Sequence, residues 1–97
     1  MTQHNLDLET NRVVVSGKVQ GVGYRFSAVR QAHELGVTGW VRNQHDGTVE
    51  AVLQGTPDQI DQMLSWMRYG PPGASVENVD AERLYDESRR FDSFQQL

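Results

Sequence analysis

A chain of 97 residues has room for one domain and one core, because splitting it would leave neither half enough apolar surface to bury. It contains no cysteine, which excludes disulfide staples, thiolate metal sites and a cysteine nucleophile together. A net charge of −4 argues against a general nucleic-acid binder, and no apolar run reaches the roughly 18 residues of a membrane span. The N-terminus also lacks the apolar stretch of a signal peptide. The expectation is a monomeric cytoplasmic protein with neither nucleic-acid nor membrane partners.

In chain order, residues 1–10 are polar and without period, and read as a frayed tail before a single domain over residues 11–97. Residues 12–16 hold Val13, Val14 and Val15, a β-branched run typical of a buried strand. Residues 17–23 contain three glycines and read as a loop. Residues 24–35 read as a helix, with Ala28, Val29, Ala32 and Leu35 on one side and Gly36 at its C-terminal cap. Residues 37–43 and 48–54 are two strands around Asp46-Gly47, a hairpin turn signal. A second helix opens with Thr56 as N-cap, Pro57 at the first helical position and Gln59 completing a capping box. Its Ile60, Met63, Leu64 and Met67 form one apolar stripe, and Gly70-Pro71-Pro72-Gly73 ends it. A further strand lies within residues 75–84, and residues 91–97 add a short last one. The order βαββαβ predicts an α+β, ferredoxin-like fold, an antiparallel sheet with both helices on one face.

Function has to come from a site, because this fold serves many roles. Between residues 11 and 30 the charged residues are Arg12, Lys18, Arg25 and Arg30, with no acid. A locally positive segment on an acidic chain suits a small anion, and reads equally as a solvated face. Within it, Gly17-Lys18-Val19-Gln20-Gly21-Val22-Gly23-Tyr24-Arg25 joins a strand to a helix. Glycines there let successive backbone N–H groups turn into one concavity, and the helix adds its unpaired N–H groups and the positive end of its dipole. Arg25 opens the helix, where its planar fork can grip two phosphate oxygens. A Walker loop is absent, and Gly21-x-Gly23 is followed by Phe26 where a dinucleotide fingerprint needs glycine. From spacing alone the segment reads equally as an anion cradle or as a tight turn with an exposed arginine.

The same nine residues resemble the first signature of the acylphosphatase family. Gly39-Trp40-Val41-Arg42-Asn43, followed by Asp46-Gly47-Thr48-Val49-Glu50, resembles the second. Leu35-Gly36 and Gly70-Pro71-Pro72-Gly73-Ala74 add to the likeness, which runs from about residue 12 to residue 79. The resemblance implies an enzyme hydrolysing the carboxyl–phosphate bond of acyl phosphates. It implies that the backbone of Gln20, Gly21, Val22, Gly23, Tyr24 and Arg25 holds the phosphate. It further implies that Arg25 binds the phosphoryl group and Asn43 orients the attacking water. The segment 91–97 fits the family's closing strand only loosely.

An acyl phosphate has a good carboxylate leaving group, so a catalyst must hold the phosphoryl group, stabilise its transition state and aim a water in line. Taken alone, Asn43 reads as a turn residue beside Asp46-Gly47; in the family's role its amide offers both an acceptor and donors to water. His45 is the candidate base to test and otherwise an exposed hairpin residue, while His33 and His4 read as structural or solvent-facing. Water activation is expected from the substrate's own phosphate oxygen. The carboxylates and histidines show no metal-ligand spacing, so neither metal nor cofactor is expected. Trp40, Trp66 and Tyr24 read as packing. A non-catalytic module binding acyl or carbamoyl phosphate is the alternative. An RNA-recognition domain of the same order would want exposed aromatics on its central strands, which residues 48–53 lack.

Overall fold

The computed structural model describes residues 8–86 and 88–97. Its elements are β1 (Glu9–Lys18), α1 (Tyr24–Leu35), β2 (Thr38–Asn43), β3 (Val49–Gly55), α2 (Pro57–Met67), β4 (Ser75–Arg83) and β5 (Phe94–Gln96). The strands form one sheet in the order β4-β1-β3-β2-β5.

Alternation along the strands divides the sheet into two faces. Val13 and Val15 on β1, Val41 on β2, and Val49, Ala51 and Leu53 on β3 form one side, each essentially closed to solvent. Ala28 and Ala32 of α1 and Ile60, Met63 and Met67 of α2 complete the same core. Both helices therefore cover one face, as the βαββαβ order predicts. α2 carries the expected start: the Thr56 hydroxyl accepts from Gln59 N at 3.3 Å, and Gln59 Oε1 accepts from Thr56 N at 2.8 Å. Gly36 closes α1, donating its N–H to Ala32 O at 2.8 Å.

The opposite face carries an ion-pair bridge. Glu50 on central β3 accepts from Arg12 Nε of β1 at 2.6 Å and pairs with Arg42 Nη2 of β2 at 2.7 Å. Burial penalises the Glu50 carboxylate, but hydrogen bonds from Arg42 and Arg12 outweigh it and hold the carboxyl below the usual range. Arg42 also lies over Trp40, 5.1 Å from the ring centroid, so Trp40 packs on the sheet as expected.

Two elements differ from the sequence expectation at their ends. β1 begins at Glu9, inside the segment expected to be frayed, because Glu9 and Thr10 pair with Gly55 and Gln54 of β3. Residues 1–7 of that segment, His4 included, lie outside the described residues. β1 also runs on through Gly17 and Lys18, which pair with β4 beyond an irregularity at Ser16/Gly17. The last strand is present, and it is the one parallel member of an otherwise antiparallel sheet, with Gly39 opposite Phe94 and Val41 opposite Gln96. Its direction follows from the route of the chain. After β4 at one edge, residues 84–86 and 88–93 lie along the sheet end formed by Thr10, Gln54 and Thr38, with Leu84 N donating to Thr10 O and Gly39 N to Ser93 O. They arrive at the other edge pointing the same way as β2.

Candidate active site

β1 and β2 both run antiparallel to β3, and β5 runs parallel to β2. The C-terminal ends of β1, β2 and β5 therefore meet at one end of the sheet. The loop after β1 turns there into α1, so the glycine loop, Asn43 and the final residues converge although far apart in sequence.

The loop owes its shape to two left-handed glycines, Gly21 at φ 77° and Gly23 at φ 78°. A residue with a Cβ costs about 1–2 kcal/mol in that region, which glycine avoids. Gly23 is the N-cap of α1 and supplies no side-chain hydrogen bond, and no acidic residue occupies the first turn. Among the described residues, no backbone acceptor is found for the N–H groups from Gly21 to Phe26. The first amides of a helix lack partners for geometric reasons; here the preceding loop adds its own. A cation in the first turn opposes the helix dipole by about 0.3–1 kcal/mol, yet Arg25 sits there. Donors without backbone acceptors, a positive dipole end and an arginine in a first turn that holds no acid make an arrangement able to receive an anion.

Arg25 is steadied by the last strand. Its Nη1 donates to Leu97 O at 2.9 Å, and Leu97 N donates to Val41 O at 2.8 Å. Asn43 closes β2, and its Oδ1 is buried without a hydrogen-bond partner among the described residues. A buried acceptor left unmade costs about 1–3 kcal/mol. Gly21, Gly23, Arg25, Phe26, Asn43 and Gln96 line one concavity of about 140 Å³, floored by Val19 and Tyr24.

Of the residues singled out in the sequence, Gly21, Gly23, Tyr24, Arg25 and Asn43 come together in this concavity. Gln20 and Val22 are not in its lining. The Gln20 side chain turns away, its Nε2 donating to Gln44 O at 2.8 Å and Thr48 O at 2.9 Å. It thereby ties the loop to the hairpin that carries Asn43. Val22 packs against the core. The Tyr24 ring is buried, its hydroxyl donating to Met67 O at 2.8 Å, and burial pushes the phenol well above its ordinary range. Trp66 packs 5.5 Å from that ring, so both aromatics are packing residues as expected. His33 Nε2 lies 3.3 Å from Phe94 O. His45 is exposed at the hairpin turn, in a separate hollow with Arg42, Asn43 and Gln44. Beside it the Asp46 carboxyl is held below its usual range by hydrogen bonds from the Thr48 hydroxyl and Thr48 N.

Sequence reading missed four contributors: Phe26, Gln96, the Leu97 carbonyl and the Gln20 tether. Phe26 enters the sequence reading only as the residue that stands where a dinucleotide fingerprint needs glycine. No local pattern announces the others, which depend on pairing between strands remote in sequence. Among the described residues, no group of three or more metal-ligating side chains gathers, and no helix is long and apolar enough to cross a membrane.

Residues 11–96 match the family model described as Acylphosphatase. A protein named Acylphosphatase from Bordetella parapertussis is 61% identical over 90 residues, covering 93% of this chain and 95% of that protein. One of the same name from Burkholderia lata is 53% identical over 98 residues, covering 99% of each. The solved structure of an acylphosphatase from Coxiella burnetii superposes with a TM-score of 0.90 at 40% identity, over 100% of both chains. A match across nearly the whole chain, with the glycine loop and Asn43 at one sheet end, places this chain in the acylphosphatase family.

Proposed function

We infer that this chain is an acylphosphatase, hydrolysing acyl phosphates to a carboxylate and inorganic phosphate. The observation that carries the mechanism is the convergence of Asn43, Arg25 and the loop amides without backbone acceptors on one concavity. In this reading the phosphoryl oxygens accept from the N–H groups between Gln20 and Arg25, and Arg25 grips two of them. Donors fixed before reaction stabilise the charge of the transition state without reorganising. The Asn43 side-chain amide hydrogen-bonds a water and aims the water oxygen at phosphorus. The water oxygen forms the new P–O bond as the bond to the acyl oxygen breaks, and the carboxylate departs with the electron pair. The water proton passes to an oxygen of the phosphoryl group, so no protein base is required. The Gln20 tether keeps loop and hairpin, hence phosphorus and water, at a fixed separation.

No metal or cofactor enters this scheme, because a carboxylate leaving group needs neither protonation nor a Lewis acid. A cysteine-free composition suits a cytoplasmic site of action, and the protein is read as acting as a monomer. The test is phosphate release from acetyl phosphate and benzoyl phosphate. Turnover of both, inhibited competitively by inorganic phosphate, is the expected result. Tight phosphate binding without turnover would leave only a binding module.

A further inference from the structure

The proposed chemistry leaves one wall of the concavity without a task. Phe26 follows Arg25 in the first turn of α1 and is 61% exposed. Single exposed apolar residues are ordinary on protein surfaces, so exposure alone says little; position says more. The other large apolar residues of the lining, Val19 and Tyr24, are each 1% exposed. Phe26 is thus the one that offers open apolar surface to whatever fills the concavity. Its ring is also held. The guanidinium carbon of Arg30, one turn along α1, lies 5.9 Å from the ring centroid, within cation–π range.

In-line displacement puts the leaving group on the far side of phosphorus from the water that Asn43 positions. The acyl group must therefore leave the cradle past another wall. Backbone amides and Arg25 meet the phosphoryl oxygens, and Gln96 is polar. We propose that Phe26 is a specificity-determining platform for the acyl group, favouring flat aromatic or extended apolar acyl phosphates over small ones. The proposal rests on the acylphosphatase reading above. A ring held from one side by Arg30 loses little freedom when a second flat group stacks on it.

The test compares kcat/KM for benzoyl phosphate and acetyl phosphate in the native protein, Phe26→Ala and Phe26→Tyr. Phe26→Ala should lower the benzoyl-to-acetyl ratio about five- to tenfold, the scale on which one apolar contact discriminates between substrates. Phe26→Tyr keeps the ring and should keep the native ratio. An unchanged ratio in Phe26→Ala, or a ratio lost in Phe26→Tyr, would overturn the platform. Inorganic phosphate has no acyl part and reports the cradle alone. If its inhibition weakened by the same factor as benzoyl phosphate turnover, Phe26 would belong to the cradle and the proposal would also fall. Failure of the native protein to hydrolyse either substrate would instead sink the activity on which the proposal stands.

Discussion

In the proposed mechanism Asn43 acts on the attacking water and Arg25 on the phosphoryl group, and their variants should differ accordingly. Asn43 is read as holding water and not substrate. A group that acts in the transition state lowers kcat and kcat/KM together when removed, and leaves KM nearly unchanged. Asn43→Ala is therefore expected to lose about 100-fold or more in kcat, the scale of deleting one preorganised polar contact. Circular dichroism must confirm the fold, since Asn43 borders the hairpin. His45→Ala is the control: its side chain lies outside the concavity and its loss should cost little. A near-native Asn43→Ala beside an inactive His45→Ala would hand the water to His45. In the proposed mechanism Arg25 touches the ground state as well. Arg25→Lys keeps the charge but not the two-pronged grip, and lysine cannot both hold Leu97 O and fork two phosphoryl oxygens. Steady-state kinetics should show kcat/KM down by about tenfold or more, on the scale of a lost charge-assisted hydrogen bond, with weaker phosphate inhibition. Native kcat/KM in Arg25→Lys would make Arg25 a surface charge.

Among the elements, those specified by local chemistry were the legible ones. α2 starts where Thr56, Pro57 and Gln59 say it must, and α1 ends at Gly36, because caps are short-range devices. β1 was read too short, because Glu9 and Thr10 are strand residues only by virtue of partners more than 40 positions away. The Glu50 bridge escaped for the same reason. It ties β1 to β2 across β3, and those two strands end in the glycine loop and in Asn43. Removing one partner of a buried pair costs about 3–5 kcal/mol; here Arg12 and Arg42 keep side-chain exposures of 42% and 51%, so water softens the loss. Glu50→Gln is expected to cost about 1–2 kcal/mol, read as a lowered urea midpoint at pH 7. The sign with pH follows from the depressed carboxyl. The stabilisation is fully present above the ordinary glutamate value of about 4.3 and is lost as pH falls through the lower folded value. The gap between native protein and Glu50→Gln should therefore close on acidification. A gap constant from pH 7 down to pH 3 would show that the bridge contributes through packing and not through charge.

Across the whole molecule, the glycine loop was legible as a possible cradle, but spacing alone left it level with an ordinary turn. Family resemblance tipped it, and the structure adds what neither could supply, the path by which the chain's last residues reach Arg25. That path hangs on Gln54, 1% exposed at the sheet end remote from the site. Its Nε2 donates to Thr10 Oγ1 at 3.0 Å and to Arg89 O at 2.7 Å, and its Oε1 accepts from Phe91 N at 3.0 Å. One side chain thus fastens the crossing segment between β4 and β5 to the start of β1. β5 follows directly, and its docking against β2 delivers Leu97 O to Arg25. With three residues, β5 has few ladder bonds of its own, so its placement leans on the crossing. Gln54→Ala removes three hydrogen bonds, strands the Phe91 amide and leaves a void. The expected cost is about 2–4 kcal/mol, a fall in Tm of roughly 10 °C or more at this chain length. The functional consequence separates a latch from mere core packing. If the crossing positions β5, Arg25 loses its anchor, and at a temperature where the variant is fully folded inorganic phosphate should inhibit several-fold more weakly than in the native protein. Asn43 keeps its place on β2, so kcat at saturating substrate should fall less than kcat/KM. A Gln54→Ala protein with a lowered Tm but native phosphate inhibition would mean that β5 docks unaided, and that Gln54 stabilises the fold without reaching the site.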